Sequence, residues 1–261
     1  MIVVISDTHF GYEKSNREDF KEFIHTLNNR EIDHLILLGD ILDFWRSSPH
    51  QAIEENNNIL SALEDLDTTV SYVVGNHDLL FIDSQLLPFT FTKTLTLESE
   101  SKIFQFIHGY QIEFHPVLDF YEGISKVLCT AQGETKEILN EVWEYYQHNL
   151  QQELEKSEHR ACWQSMPRRS LTPIIRFLLT SPEDEPLHTE ITQARISEYR
   201  EGTGMDPEDI LIYGHTHHPY IDEREANAGC WIRDSHMPNS YLTIEDGEIT
   251  LHYWRPQKVI L

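Results

Sequence analysis

The sequence predicts a mixed α/β domain: a strand-rich sandwich flanked by helices, with a helical insertion or cap inside it. Three observations predict it. Short apolar, β-branched runs alternate with helical patterns over residues 2–74, the signature of a parallel sheet covered by helices. Alternating segments suited to antiparallel pairing follow residue 90. Strand patterns are absent between residues 110 and 208.

Each element has its own warrant. "IVVIS" (2–6) reads as a fully buried strand, "HLILL" (34–38) as a second buried strand and "VSYVV" (70–74) as a third strand. Between them, residues 15–29 carry Phe20, Phe23, Ile24 and Leu27 at helical spacing. Residues 50–65 carry Ile53, Ile59, Leu60 and Leu63 and predict a second helix. "TKTLTLES" and "KIFQFIHG" alternate with period two. The tail "SYLTIEDGEITLHYW" (240–254) predicts a hairpin turning at Asp246-Gly247. Inside 110–208, residues 134–158 predict a long charged helix with Ile138, Leu139, Val142, Tyr146, Leu150 and Leu154 on its apolar side. "LTPIIRFLLT" (171–180) and "TEITQARISEY" (189–199) predict two more. A chain of 261 residues suits a single domain over 1–261 with 110–208 as its insertion.

Composition narrows the function classes. Asp and Glu number 44 against 20 Lys and Arg, a formal net charge of -24. Such a surface repels nucleic-acid backbone unless basic residues are concentrated somewhere, so nucleic acid is not expected as a partner. Cys129, Cys162 and Cys230 lie far apart with no CxxC spacing, which argues against a disulfide framework and fits a reducing interior. "MIVVISDTHF" reads as a strand rather than a leader, and no apolar run approaches the roughly 18 residues of a membrane span. A cytoplasmic protein is the resulting expectation. Composition says nothing of oligomeric state.

Polar residues with metal-ligating chemistry recur where strands end. The first strand is followed by Asp7 and His9, the second by Asp40 and Asp43, the third by Asn76, His77 and Asp78. "IFQFI" ends in His108-Gly109, and "ILIY" (210–213) in Gly214 and then His215 and His217. Sites in open α/β sheets form beyond the carboxyl ends of strands, so residues 200 apart in sequence can converge there. Neutral imidazoles, carboxylates and an amide suit Mn²⁺, Fe or Zn²⁺.

The ordered set DxH, GDxxD, GNHD, HG and GHTH, spanning residues 7–217, resembles the calcineurin-like metallophosphoesterase superfamily. The resemblance implies that superfamily's β-sandwich flanked by helices, and a dinuclear metal cofactor, manganese first, with iron or zinc as alternatives. It places one ion on Asp7, His9, Asp40 and His217 and the other on Asp40, Asn76, His108 and His215, with Asp40 bridging. Cations about 4 Å apart repel, which makes a shared carboxylate and a bridging hydroxide reasonable. The implied reaction is attack of that hydroxide on a phosphodiester, pyrophosphate or phosphomonoester. His77 inherits the role of protonating or stabilising the leaving oxygen. Asp43 is expected to hydrogen-bond His77 and raise its pKa. Asp78 is assigned to holding the loop after the third strand.

"GDILDFW", "GHTHHP" and the helical insertion look most similar to the UDP-2,3-diacylglucosamine pyrophosphatase branch, which points to a small nucleotide- or lipid-linked substrate. That branch carries Arg where this chain has His77, so the architecture transfers further than the substrate. Arg168 and Arg169, in a locally basic stretch from Lys156 to Arg176, and Trp45 are candidates for substrate binding. The enzymatic rival is a nuclease like those of double-strand-break repair, disfavoured by charge and by the lack of a basic stripe. A protein phosphatase would carry Arg directly after Asp43; here Arg46 is offset. A non-catalytic scaffold on the same fold is the rival of another class.

Overall fold

A computed structural model describes residues 1–28, 30–84, 86–130, 191–235 and 237–255. Two mixed sheets carry the domain. The first contains β1 (Ile2–Ile5), β2 (His34–Leu38), β3 (Thr69–Val73), β4 (Thr90–Thr92), β10 (Ser240–Glu245) and β11 (Glu248–Tyr253), in the order β11-β10-β1-β2-β3-β4. The second contains β5 (Thr94–Ser99), β6 (Lys102–Ile107), β7 (Ile210–Tyr213), β8 (Tyr220–Ile221) and β9 (Glu225–Asn227), in the order β5-β6-β7-β9-β8. β1, β2 and β3 pair in parallel, as do β6 and β7, while β5–β6 and β10–β11 are antiparallel hairpins. Asp246 and Gly247 both have positive φ (50° and 72°), the geometry a two-residue hairpin turn demands.

Strand alternation sorts the apolar residues into layers. Val4, Ile36, Leu38 and Val73 pack between the sheets against Phe104, Phe106, Ile210 and Ile212. Their neighbours Val3, Ile5, Leu35, Leu37 and Tyr72 face the other way. There they meet Phe20, Phe23 and Ile24 of α1 (Arg17–Leu27), Ile59 and Leu63 of α3 (Asn57–Glu64), and Tyr121, Ile124 and Leu128 of α5 (Leu118–Thr130). On the outer face of the second sheet, Leu211 and Tyr213 pack with Ile112 of α4 (Tyr110–Glu113) and with Ile196 and Tyr199 of α6 (Gln193–Thr203). The described residues form four layers: helices, sheet, sheet, helices.

The structure refines two expected helices. The helix expected over 50–65 is two, α2 (Pro49–Glu55) and α3, broken at Asn56. Asn56 turns its amide onto the Ala52 carbonyl (2.7 Å), a local bond that competes with helix continuation. The helix expected over 189–199 runs instead from Gln193 to Thr203, where Gly204 ends it in the left-handed conformation (φ 69°). The expected helices at 134–158 and 171–180, with Arg168, Arg169 and Cys162, lie outside the described residues. The flanks of the expected insertion, α4, α5 and α6, belong to the helical layers of the domain itself. Among the described residues, no helix is long and apolar enough to cross a membrane.

Candidate metal centre and active site

Backbone pairing continues past the strand ends and gathers the polar residues. The Asp7 N–H donates to the Gly39 carbonyl (3.1 Å), His9 to Asp40 (2.9 Å), Asp43 to Phe10 (2.9 Å), Phe44 to His77 (3.1 Å) and Gly214 to His108 (2.7 Å). Asp7, His9, Asp40, Asp43, Asn76, His77, His108, His215 and His217 all end up buried, none more than 8% exposed. Five of them, Asp7, His9, Asp40, His215 and His217, have positive φ between 48° and 65°. Left-handed backbone costs a non-glycine residue roughly 1–2 kcal/mol. Such strain clusters at functional sites, where the surroundings over-determine it. Close approach explains two of the glycines. A Cβ on Gly39 (φ 84°) would collide with the His108 ring, and one on Gly214 with Ser6 Oγ and the Asp7 carboxylate.

Among the described residues three groups of candidate ligands result: Asp7, His9 and His217; Asp40, His108 and His215; and His9, Asp43 and His77. In the first, His217 Nε2 lies 3.1 Å and His9 Nε2 3.6 Å from Asp7 Oδ1, and the two imidazole nitrogens are 3.2 Å apart. In the second, His108 Nε2 lies 3.0 Å from Asp40 Oδ2, and His215 joins them. Within each group the ligand atoms lie within 4.8 Å of one another. Asp40 Oδ2 is also 3.8 Å from His9 Nε2, which puts it between the first two groups, while Asp40 Oδ1 accepts from the His77 N–H (2.8 Å). Asp7 Oδ2 is tied by the Ser6 hydroxyl and the His215 N–H (2.9 Å). Asp78 Oδ1 accepts from Gly75 N (2.7 Å), and its Oδ2 accepts from Ile41 N (2.8 Å) and the Tyr72 hydroxyl (2.6 Å). It thus holds the loop after β3, as expected, and ties it to the loop after β2.

The electrostatics show what this cluster wants. Burial alone would lower the His9 and His108 imidazoles. The carboxylates outweigh it, Asp43 and Asp7 lifting His9 to about 10, Asp40 and Asp7 lifting His108 to about 9. Burial likewise works against Asp7 and Asp40, yet His108 and its neighbouring imidazoles keep both below the ordinary carboxylate range. Positive charge is therefore drawn between these carboxylates. His108 Nδ1 is committed to the Leu38 carbonyl (2.8 Å), so the ring turns Nε2 toward the Asp40 carboxylate. One atom points the same way: Asn76 Oδ1 is buried with no hydrogen-bond partner. A buried amide oxygen without a partner is rare, and a divalent cation would satisfy it.

The model of one family, the calcineurin-like phosphoesterases, matches residues 1–219, from the first strand to just past His217. The chain belongs to that family. No curated protein matches the sequence. Among solved structures, the chain is similar to a dimetal phosphatase from Danio rerio (13% identity, 96% of this chain and 94% of that one, TM-score 0.47). It is also similar to Yfce, a phosphoesterase from E. coli (17%, 97% and 93%, TM-score 0.44), and to a Vps29 single mutant from Entamoeba histolytica (15%, 96% and 96%, TM-score 0.44).

Beside the candidate ligands, this member of the calcineurin-like phosphoesterase family carries a second buried network, centred on Asp43. His77 Nδ1 donates to Asp43 Oδ1 (3.0 Å) and His9 Nδ1 to Asp43 Oδ2 (3.0 Å). The Asp43–His77 bond is as expected, and Asp43 raises the His77 pKa as expected, but the net shift is set by burial. Burial lowers the His77 pKa by more than Asp43 and Asp40 raise it, so the net shift is downward. Trp45 is buried and stacks on His77, ring centroids 3.9 Å apart at 28°. Two participants escaped the sequence reading. Arg46, offset in sequence from the phosphatase arginine, nonetheless donates to Asp43 Oδ2 (2.6 Å) and lies 3.5 Å from His77 Nδ1. Glu113, five residues after His108, meets His215 Nε2 at 2.7 Å. A single acid in a mostly apolar stretch, "YQIEF", was the one signal available for it.

Proposed function

We propose that this chain is a dinuclear-metal hydrolase of phosphate esters. Its substrate is a small nucleotide- or lipid-linked compound carrying a phosphodiester, pyrophosphate or phosphomonoester bond. One observation carries the reading: two of the candidate ligand groups meet at Asp40, whose Oδ2 lies 3.0 Å from His108 Nε2 and 3.8 Å from His9 Nε2, and Asn76 Oδ1 is buried with no hydrogen-bond partner. Asp7, His9, Asp40 and His217 would hold one ion, and Asp40, Asn76, His108 and His215 the other. When bound, such ions polarise the phosphoryl oxygens and lower the pKa of water enough to make a nucleophile near neutral pH. Mn²⁺ is the ion of first choice, and the same donors accept Fe or Zn²⁺.

The side chains around the ions supply orientation and proton handling. Asp43 takes Nδ1 of His77, which turns Nε2 toward the site, 4.0 Å from Asp40 Oδ2. From there His77 can pass a proton to a leaving oxygen. An arriving phosphoryl group adds negative charge beside the ring and favours its protonated form, against the effect of burial. Trp45 covers one face of the imidazole, and Arg46 adds a cation at the same edge. The formal net charge of -24 weighs against a nucleic-acid substrate.

Hydrolysis of p-nitrophenyl phosphate and bis-p-nitrophenyl phosphate with added Mn²⁺, for wild type and Asp40→Ala, tests the reading. Turnover that Asp40→Ala abolishes, with two ions per wild-type chain, is the expected result. Diester cleavage far above monoester cleavage would select the diesterase or pyrophosphatase form. No turnover on either substrate, or fewer than one ion per chain after loading, would leave the scaffold reading in its place.

A further inference from the structure

We infer that Glu113 is a positioning residue for the second ion: it takes the Nε2 proton of His215 and so presents Nδ1 as that ring's ligand atom. The inference rests on the dinuclear reading above and adds a residue outside its ligand set. An imidazole binds a cation through one nitrogen only, and the other, carrying hydrogen, needs an acceptor when buried. His215 is 8% exposed and Glu113 6%, so water does not readily fill that need. The Glu113 carboxylate stands 2.7 Å from His215 Nε2. That nitrogen is therefore spoken for, and Nδ1 is the one left for the cluster with Asp40 and His108.

The local chain is built to bring this carboxylate in. Gly109, with φ 130°, turns the backbone directly after His108, and the turn of α4 follows. The N–H groups of Ile112 and Glu113 both bond the Gly109 carbonyl (2.9 and 3.3 Å). A Cβ on Gly109 would come within 2.8 Å of His215 Cβ, so the turn and the ligand are packed against each other. From α6, Arg195 donates to the backbone carbonyl of Glu113. Glu113, at the end of this short helix, is thus fixed beside His215, and Gly109 at its start packs against the same residue.

Zn²⁺, which is diamagnetic, is the probe. Titration of metal-free protein should show two binding steps in the wild type. Partners of metal-bound histidines typically contribute 10–100-fold in affinity, so Glu113→Ala should weaken one step by about that factor and leave the other unchanged. Glu113→Gln keeps an acceptor oxygen and should fall between the two. Nitrogen-15 spectra of the zinc-loaded wild type should show His215 protonated on Nε2, with Glu113→Gln keeping that tautomer. Wild-type affinity for both ions in Glu113→Ala, or a wild-type His215 protonated on Nδ1, overturns the inference. Should Glu113→Ala not fold, Glu113→Gln decides: one weakened step supports the inference, two wild-type steps overturn it. Fewer than two zinc ions on the wild type would instead sink the dinuclear reading, a result visible without any variant.

Discussion

Replacing Asp43 by Ala removes the acceptor on which the polar network beside the ligands converges. Its Oδ1 takes the N–H groups of Trp45 (3.2 Å) and Arg46 (3.1 Å) and Nδ1 of His77 (3.0 Å). Its Oδ2 takes Nδ1 of His9 (3.0 Å) and the Arg46 guanidinium (2.6 Å). The carboxylate is fully buried and the Arg46 side chain is 8% exposed, so water cannot replace what is lost. Breaking a buried ion pair from one side costs about 3–5 kcal/mol, because the surviving charge stays desolvated. A domain of this size loses roughly 2–4 °C of melting temperature per kcal/mol, which makes the expected drop about 6–20 °C. Adding Arg46→Met removes the cation that faced the lost carboxylate, so the double variant should recover part of that loss, with a coupling of about 0.5–3 kcal/mol. Circular-dichroism melts of metal-free protein at neutral pH read all four corners of the cycle. A drop under roughly 3 °C for Asp43→Ala, about 1 kcal/mol, would refute the reasoning. So would a double variant in which the two losses simply add.

Three further outcomes follow from the geometry. Tyr72→Phe deletes a buried hydroxyl that donates to the charged Asp78 (2.6 Å), a bond of about 1.5–3 kcal/mol, so its melting temperature should fall by roughly 3–12 °C. An unchanged melt would show that Asp78 does not depend on that donor. Gly39→Ala places a Cβ against the His108 ring at φ 84°; ion content should fall while the far-ultraviolet spectrum persists, and full ion content would count against the close approach. Trp45→Ala uncovers one face of His77 without touching a ligand, so aryl-phosphate turnover should drop at constant ion content, and wild-type turnover would remove Trp45 from the site.

Much of this was readable from local pattern. Strands β1, β2 and β3 are short apolar-rich runs, and their ends are marked by glycine and by acids and imidazoles with no packing reason to be there. The Asp246-Gly247 hairpin is legible because its turn needs two positive φ values. The break at Asn56 was hidden within a continuous apolar spacing, since only an amide folded back on Ala52 makes it. Arg46 and Glu113 were hidden for another reason. Each acts on a residue from a different strand end, and spacing along one segment does not reveal contacts across two.

By itself, the sequence determined the alternation of strands and helices and the inventory of ligand chemistry at the strand ends. Both are local properties, set by side-chain size, polarity and backbone preference. Tertiary structure alone decided which atoms of that inventory face one another: Asp40 between two of the ligand groups, Glu113 on His215, Arg46 on Asp43. It also decided the direction of the His77 shift, because desolvation depends on everything that surrounds the ring and not on the carboxylate it touches.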